Sequence, residues 1–124
     1  MAGSFRDLTA YKKAYTLAME IFEITNKFPK EKKYELIDQL RRSSRSVCRG
    51  IGEGYRKRQY PKHFSSKMSD ADMENTETQV SLDFAGDCKY ISQEKNRELR
   101  SKSEEVGRLL NHMVENPEKY APKH

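Results

Sequence analysis

The sequence is poor in the residues that build a large hydrophobic core. It has no tryptophan, and Leu, Ile, Val and Phe together make up 22 of its 124 residues. Disorder of the whole chain would also require a high net charge. Here 24 basic residues oppose 19 acidic ones and leave +5. We therefore expect one folded, very polar domain over residues 1–124 with a thin core. Because a chain of this size leaves much of its surface exposed, we expect partner subunits to cover part of that surface.

Long apolar runs are missing as well. No stretch approaches the ~20 residues that a membrane-spanning helix requires, and the first residues carry no hydrophobic signal segment. We expect a cytoplasmic protein without a membrane partner. The two cysteines, Cys48 and Cys88, are too few for a metal site. In a helical hairpin they would lie ~24 Å apart, beyond the reach of a disulfide, so both are expected to be free thiols.

Sequence patterns of known catalytic sites are also missing. His63, His112 and His124 lie far apart, and none belongs to the Glu-x-x-His pattern of di-iron bundles. No nucleophile motif of the hydrolase type is present. We expect no enzyme activity, no cofactor and no metal.

Three glycines in the second half of a helical segment need a separate explanation. Gly50, Gly52 and Gly54 superficially resemble a phosphate-binding loop, but the third glycine of the dinucleotide pattern would fall on Tyr55. Each glycine costs a helix ~1 kcal/mol relative to alanine. We expect them to mark the close approach of a neighbouring helix or a local kink.

Helical periodicity recurs four times, whereas strand signals are nearly absent. The pattern predicts helices over about residues 7–27, 32–58, 62–89 and 93–116, followed by a frayed basic tail over 117–124. Pro29 stops the first helix, Pro61 suits a first turn, and Ser92 caps the fourth helix. Because short connections make successive helices antiparallel, we expect an all-α, up-down-up-down four-helix bundle.

Two of these helices are apolar on more than one side. In the first helix the main stripe is Leu8, Tyr11, Tyr15, Ala18, Phe22 and Thr25, and the second patch is Leu17, Ile24 and Phe28. The third helix has one face with Phe64, Met68, Ala71, Thr78, Leu82 and Ala85, and an opposite face with Met73, Val80, Phe84 and Ile91. An outer helix of a lone bundle needs one apolar face. The second faces therefore predict subunit contacts; a wider buried arc is the alternative.

Charge is segregated along the chain. Residues 41–62 hold eight basic residues and one acidic residue, whereas residues 70–87 hold six acidic residues and no basic one. The arginines of the second helix cluster on one flank, where guanidinium groups can bind a run of phosphates. The predicted nucleic-acid contacts are Arg41, Arg42, Arg45, Arg49, Arg56, Lys57 and Arg58.

The charge pattern suggests two further interpretations, one in which nearby tyrosines contact bases and one in which the arginines bind no ligand. Tyr55 and Tyr60 lie near the end of the arginine row, where they could stack on unpaired bases. Alternatively, the arginines pair with acids of the third helix, within or between subunits, and bind no ligand.

Several segments together resemble a known family. Phe5-Arg6-Asp7-Leu8, Gln39-Leu40-Arg41-Arg42 and Ile51-Gly52-Glu53-Gly54-Tyr55 are similar to bacterial four-helix-bundle proteins encoded in ribosomal RNA intervening sequences. The resemblance covers about residues 5–115. Positions that match the family signature are Gln39, Arg41, Arg42, Ser46, Glu53 and Gly54. Gly50 and Gly52 stand where the family usually has Asn and Ala.

The resemblance implies a four-helix bundle and no particular reaction. A related member, the accessory protein of diversity-generating retroelements, looks like a basic homopentameric barrel that binds nucleic acid and a reverse transcriptase. By this resemblance we expect a ring-like homo-oligomer, a pentamer, that binds RNA or DNA without catalysis. The alternative is a structural adaptor that docks onto a protein partner such as a polymerase and has no direct role on nucleic acid.

Overall fold

Four long helices form the molecule. The computed structural model describes residues 3–29 and 34–123. The helices are α1 (Thr9–Thr25), α2 (Tyr34–Tyr55), α3 (Pro61–Asp87) and α4 (Gln93–Glu115), and single 3-10 turns lie at Phe5–Asp7 and Pro117–Lys119. The described residues contain no strand, so the predicted all-α bundle is confirmed. The predicted start of the second helix at residue 32 lies outside the described residues.

The helices pack in a ring of four neighbours. The backbone of α1 lies close to α2 and α4, and that of α3 lies close to the same two helices, whereas the backbones of the diagonal pairs stay apart in the described residues. Contacts between α2 and α3 run in opposite chain directions, from Ser43–Thr78 to Gly50–Ala71. The neighbouring helices are therefore antiparallel.

Capping chemistry explains where several helices begin and end. Ser4 and Asp7 form a reciprocal capping box around the Phe5–Asp7 turn, and Ser92 accepts a hydrogen bond from the Lys95 N–H at the start of α4. Helix α3 ends in a Schellman motif, in which Lys89 adopts φ 66° and the Tyr90 N–H donates to the Ala85 carbonyl. Helices α2 and α3 are thus two or three residues shorter at their C-terminal ends than the periodicity predicts.

The core consists of two apolar clusters, one toward each end of the bundle. One cluster is built around Phe64, Met68 and Leu110, and the other around Ile21, Leu40 and Leu82. Buried polar pairs lie between them: the Ser43 and Thr78 hydroxyls are 2.8 Å apart, and the Asn75 side chain donates to the Ser103 carbonyl at 2.8 Å. These satisfied pairs hold α3 against both of its neighbours.

The buried face of α1 corrects the sequence prediction. The residues that it buries are Ala10, Ala14, Leu17, Ile21 and Thr25. Leu17, assigned to a second outer patch, thus belongs to the core, and so does Phe28. Tyr15, assigned to the main stripe, is about half exposed. The small side chains of Ala10 and Ala14 let α1 approach its neighbours closely, whereas a tyrosine can cover the rim and keep its hydroxyl in water.

The segment after α4 is packed and not frayed, at least through residue 120. Pro117–Lys119 forms a 3-10 turn, and the Tyr120 ring stacks on Phe64 with 5.5 Å between ring centroids. The Tyr120 hydroxyl lies 3.1 Å from Nδ1 of His112. Helix α4 ends before Pro117, and burial of the Tyr120 ring against the first core cluster holds the segment beyond it in place.

Candidate nucleic-acid interface

The outer face of α2 and the turn that follows it carry a row of exposed basic side chains. Its members, called the basic ridge below, are Arg42, Arg45, Arg49, Arg56 and Lys57. Spacings of three and four residues keep Arg42, Arg45 and Arg49 on one side of α2, and Arg56 is the first residue after the helix. From Arg42 to Arg56 the ridge extends ~21 Å at the helical rise. All five side chains are exposed to solvent.

Two other predicted contact residues are engaged within the chain. The Arg41 guanidinium donates to Oγ1 of Thr25 and to Oδ1 of Asn26, each at 2.8 Å, and lies over the Phe22 ring. Arg41 thereby ties α2 to the end of α1. Arg58 donates to the Tyr55 carbonyl at 2.9 Å, and its guanidinium lies 3.8 Å from the centre of the Tyr55 ring. That contact closes the C-terminal end of α2.

The ridge arginines do not pair directly with the acids of α3. Among the described residues, the ion pair of the ridge is Arg42–Asp38 at 2.6 Å, which lies within α2. The side chain of Arg42 remains 72% exposed in this pair. In the described structure no ion pair joins a ridge arginine to an acid of α3. The alternative that these acids neutralise the arginines within one chain is therefore not supported.

Acids of α3 nevertheless lie beside the ridge. Glu74 and Glu77 line a groove of about 420 Å³ between α2 and α3, together with Arg42. Burial raises the pKa of Glu74, and the neighbouring Glu77 carboxyl raises it further, while Arg49 acts in the opposite direction. Burial is the largest cause of the raised pKa, and the Glu77 carboxylate adds a like-charge repulsion that opposes the attraction of Arg49.

The outer side of α3 combines these acids with large apolar side chains. Met73, Val80 and Phe84 are 65%, 50% and 60% exposed and form what is called the α3 apolar patch below. The predicted second face of α3 is confirmed for these three residues. It is wrong for Ile91, which packs against the second core cluster beyond the end of α3.

The structure brings a different aromatic pair to the ridge than the sequence suggested. One side of the Tyr55 ring is covered by Arg58, and Tyr60 lies in the α2–α3 connection, half exposed. Phe5 and Tyr11 instead lie next to Arg49 and Arg56. Periodicity assigned Tyr11 to the core stripe of α1, and the Ser4-x-x-Asp7 capping box was the one signal for a turn that folds Phe5 back.

The glycines of α2 serve the close approach of other segments. A Cβ added to Gly50 would lie 3.0 Å from the Ala71 Cβ, and one added to Gly54 would lie 2.8 Å from Cε of Met68. The prediction of a closely packed neighbouring helix is therefore confirmed at both positions. The segment is helical through Tyr55, so it is not a phosphate-binding loop.

Other groups that could carry chemistry are dispersed. Both cysteines are free, and burial raises the pKa of the Cys48 thiol to about 11. Within residues 3–29 and 34–123, no three His, Cys, Asp or Glu side chains come close enough together to hold a metal ion. His124 lies outside the described residues. No described helix is long and apolar enough to cross a membrane.

The fold and its surface define an all-α bundle protein with a basic outer helix face. A family model matches residues 6–112, and the chain belongs to the family of 23S rRNA-intervening sequence proteins. A solved structure from Bacteroides thetaiotaomicron, described as a protein of unknown function from the S23 ribosomal protein family, is 24% identical. It covers 86% of this chain and 98% of its own, with a TM-score of 0.78, and so supports the fold. A comparison with curated proteins yields no match.

Proposed function

We propose that the protein binds the phosphate backbone of nucleic acid through the basic ridge, as a non-catalytic cytoplasmic protein. The observation that carries this proposal is the row of exposed arginines on the outer face of α2, without ion pairs to the neighbouring acidic helix in the described structure. A basic row that only stabilised the fold would be expected to pair with those acids.

The ridge suits a run of phosphates. Guanidinium groups bind phosphate oxygens in a bidentate manner, and the ~21 Å length of the ridge spans about six phosphates of one strand. Four or five contacts predict that the logarithm of the binding constant falls with the logarithm of salt concentration with a slope of about −3 to −4. RNA and DNA share this chemistry, and the proposal includes both.

The test is charge reversal in the middle of the ridge. Arg45→Glu combined with Arg49→Glu should weaken binding of a short single-stranded RNA or DNA by more than about 100-fold at low salt and should flatten the salt dependence. Fluorescence anisotropy over a salt series measures both quantities. Circular dichroism should show an unchanged helix content, because both side chains are exposed.

A matched control is available on α4, which lies diagonally opposite α2. Arg97→Glu combined with Arg108→Glu changes the net charge equally, and both arginines are exposed without an ion pair among the described residues. This variant should retain most of the binding. Equal losses in the two variants would mean that net charge, and not the ridge, controls binding.

Self-association belongs to the same proposal. The α3 apolar patch is the surface on which we place the contact between copies, because three large apolar side chains on one helix face are rarely left in water. The ring of five copies rests on the family resemblance alone. Light scattering with and without RNA, at low and high salt, measures the number of copies and whether RNA binding depends on salt.

A protein adaptor is the second candidate, and the α3 apolar patch favours it. In that case the patch and the adjoining groove, of about 420 Å³, receive a protein partner such as a polymerase. A stable oligomer or monomer that binds neither RNA nor DNA at low salt would support the adaptor over the nucleic-acid proposal.

A further inference from the structure

A shallow cavity lies between the N-terminal turn, α1 and α2, at the edge of the basic ridge. Its volume is about 340 Å³. The cavity, called the aromatic slot below, is lined by Phe5, Tyr11, Cys48, Arg49, Gly52, Glu53 and Arg56. It thus joins an apolar floor to two arginines of the ridge.

The floor of the slot is built by local structure. The capping box of Ser4 and Asp7 fixes the turn that places Phe5 over α2. The Phe5 ring meets the Tyr11 ring edge to face, with 5.0 Å between centroids, and the Arg6 guanidinium covers one face of the Phe5 ring, 4.4 Å from its centre. A Cβ at Gly52 would lie 3.5 Å from the Phe5 ring, so a side chain larger than alanine would fill the slot.

The rim of the slot carries positive charge. Arg49 lies on α2 and Arg56 directly follows its last residue, so the helical rise gives a separation of ~10 Å between the two positions. The acid on the rim, Glu53, forms an ion pair with Lys67 at 3.2 Å. Burial raises the pKa of Tyr11, so its hydroxyl stays protonated at neutral pH and can donate a hydrogen bond.

We propose that the aromatic slot receives an unpaired nucleobase while Arg49 and Arg56 hold the phosphates on either side of it. An aromatic floor between two guanidinium groups is the combination that binds single strands, because any base can stack on the ring and the backbone is neutralised beside it. In a duplex the base faces are already stacked, and the slot stays empty. The inference rests on the proposed function and specifies its partner as single-stranded nucleic acid.

The experiment uses single-stranded RNA and DNA of about 12 nucleotides that carry 2-aminopurine, a base whose fluorescence falls on stacking. The complementary duplexes serve as comparison ligands. The wild-type protein should quench the single strands and bind them at least about ten-fold more tightly than the duplexes. The inference would be overturned if neither the single-stranded RNA nor the single-stranded DNA were quenched, or if single strands and duplexes bound with equal affinity.

Three variants locate the effect. Tyr11→Leu and Phe5→Leu remove the stacking rings but keep apolar volume, and Gly52→Leu fills the slot. Each should weaken single-strand binding roughly ten-fold and abolish the quenching. Each should leave duplex binding and the salt slope unchanged, which separates a lost base contact from a damaged ridge. Tyr60→Leu, which removes an exposed tyrosine outside the slot, should have no effect on quenching.

The outcomes distinguish this inference from the proposed function. If the slot variants bind and quench like the wild type while Arg45→Glu with Arg49→Glu loses binding, the ridge stands and the slot is overturned. If the slot variants change the oligomeric state in light scattering, a second copy occupies the slot and the inference is likewise overturned. If the wild-type protein binds no nucleic acid at low salt, both proposals fail. Thermal unfolding of each variant verifies that the bundle is intact.

Discussion

The outer faces of α2 and α3 lie side by side and have opposite characters. The α2 face is a row of exposed basic residues without a large apolar side chain among them, whereas the α3 face combines acids with Met73, Val80 and Phe84. Opposite charges on adjacent helices would commonly be read as internal salt bridges. In the described structure they form none with the ridge, so the two faces are available for different contacts.

The reason for this separation lies in the seam between the helices. Small side chains occupy the α2–α3 contact, with the Ser43 and Thr78 hydroxyls 2.8 Å apart and Gly50 against Ala71. The helices approach through this seam, and the arginines project away from it. Charge segregation in the sequence therefore does not require direct ion pairs between the ridge and the acids of α3.

The largest expected effect comes from forcing the two helices apart. Gly50→Val places a branched side chain where even a Cβ would lie 3.0 Å from Ala71, and overpacking of this kind costs about 1–3 kcal/mol. We expect the melting temperature to fall by roughly 5–10 °C. Differential scanning calorimetry measures it.

Gly52→Ala is the control for that change. Its Cβ would make an ordinary 3.5 Å contact with Phe5, and alanine favours a helix interior by ~1 kcal/mol. The control should be as stable as the wild type or more so. If Gly50→Val had the same melting temperature as this control, the contact between Gly50 and Ala71 would not hold α2 and α3 at close distance.

The second largest effect concerns self-association, which we assign to the α3 face and not to the α2 face. Val80→Ser combined with Phe84→Ser removes most of the α3 apolar patch and should weaken self-association by at least about ten-fold. The fold should persist, because both side chains are at least half exposed. Sedimentation velocity at matched concentrations measures the change.

Met19→Ser is the matched control, since Met19 is an exposed methionine on α1, 44% exposed and outside the patch. It should leave the assembly unchanged. Persistence of the wild-type assembly in the double serine variant would remove the patch from the subunit contact.

The smallest effect concerns the acids beside the ridge. Glu74→Gln combined with Glu77→Gln removes two negative charges next to Arg49 and Arg42 and should strengthen nucleic-acid binding about three-fold at low salt. At high salt the gain should vanish through screening. Glu94→Gln combined with Glu104→Gln on α4 changes the net charge equally and should give a smaller gain; an equal gain would argue against a local field.

The same pair predicts a dependence of stability on pH. Burial and the Glu77 carboxyl raise the folded-state pKa of Glu74 above the usual 4.5. The protonated form therefore stabilises the fold at pH values below 4.5, and this contribution is lost as the pH rises through the folded-state pKa. Glu74→Gln should raise the melting temperature by about 1–2 °C at pH 7 and leave it unchanged at pH 4. A rise of equal size at both pH values would contradict this sign.

Sequence periodicity predicted most of the fold because each helix has a strong signal of its own. The stripe of α2 with Leu40, Val47 and Ile51, and that of α3 with Phe64, Met68 and Leu82, are buried as expected. On α1 the prediction was confirmed in part, since Thr25 is buried and Leu8 and Tyr11 pack against the first core cluster. It was wrong for Tyr15, which is half exposed, and for Leu17, which is buried. There the buried face is the narrower one that begins at Ala10 and Ala14, because close helix approach favours small residues over large ones.

The candidate site also has features that the sequence predicts and features that depend on tertiary packing. The four helices and the row of arginines on one side can be predicted from periodicity, since periodicity depends only on spacing along the chain. The hydrogen bonds of Arg41 to Thr25 and Asn26 depend on how the helices pack. The same holds for the position of Phe5 beside Tyr11 and Arg49. These contacts join residues that are distant in the chain, and their geometry depends on how closely the packed helices approach.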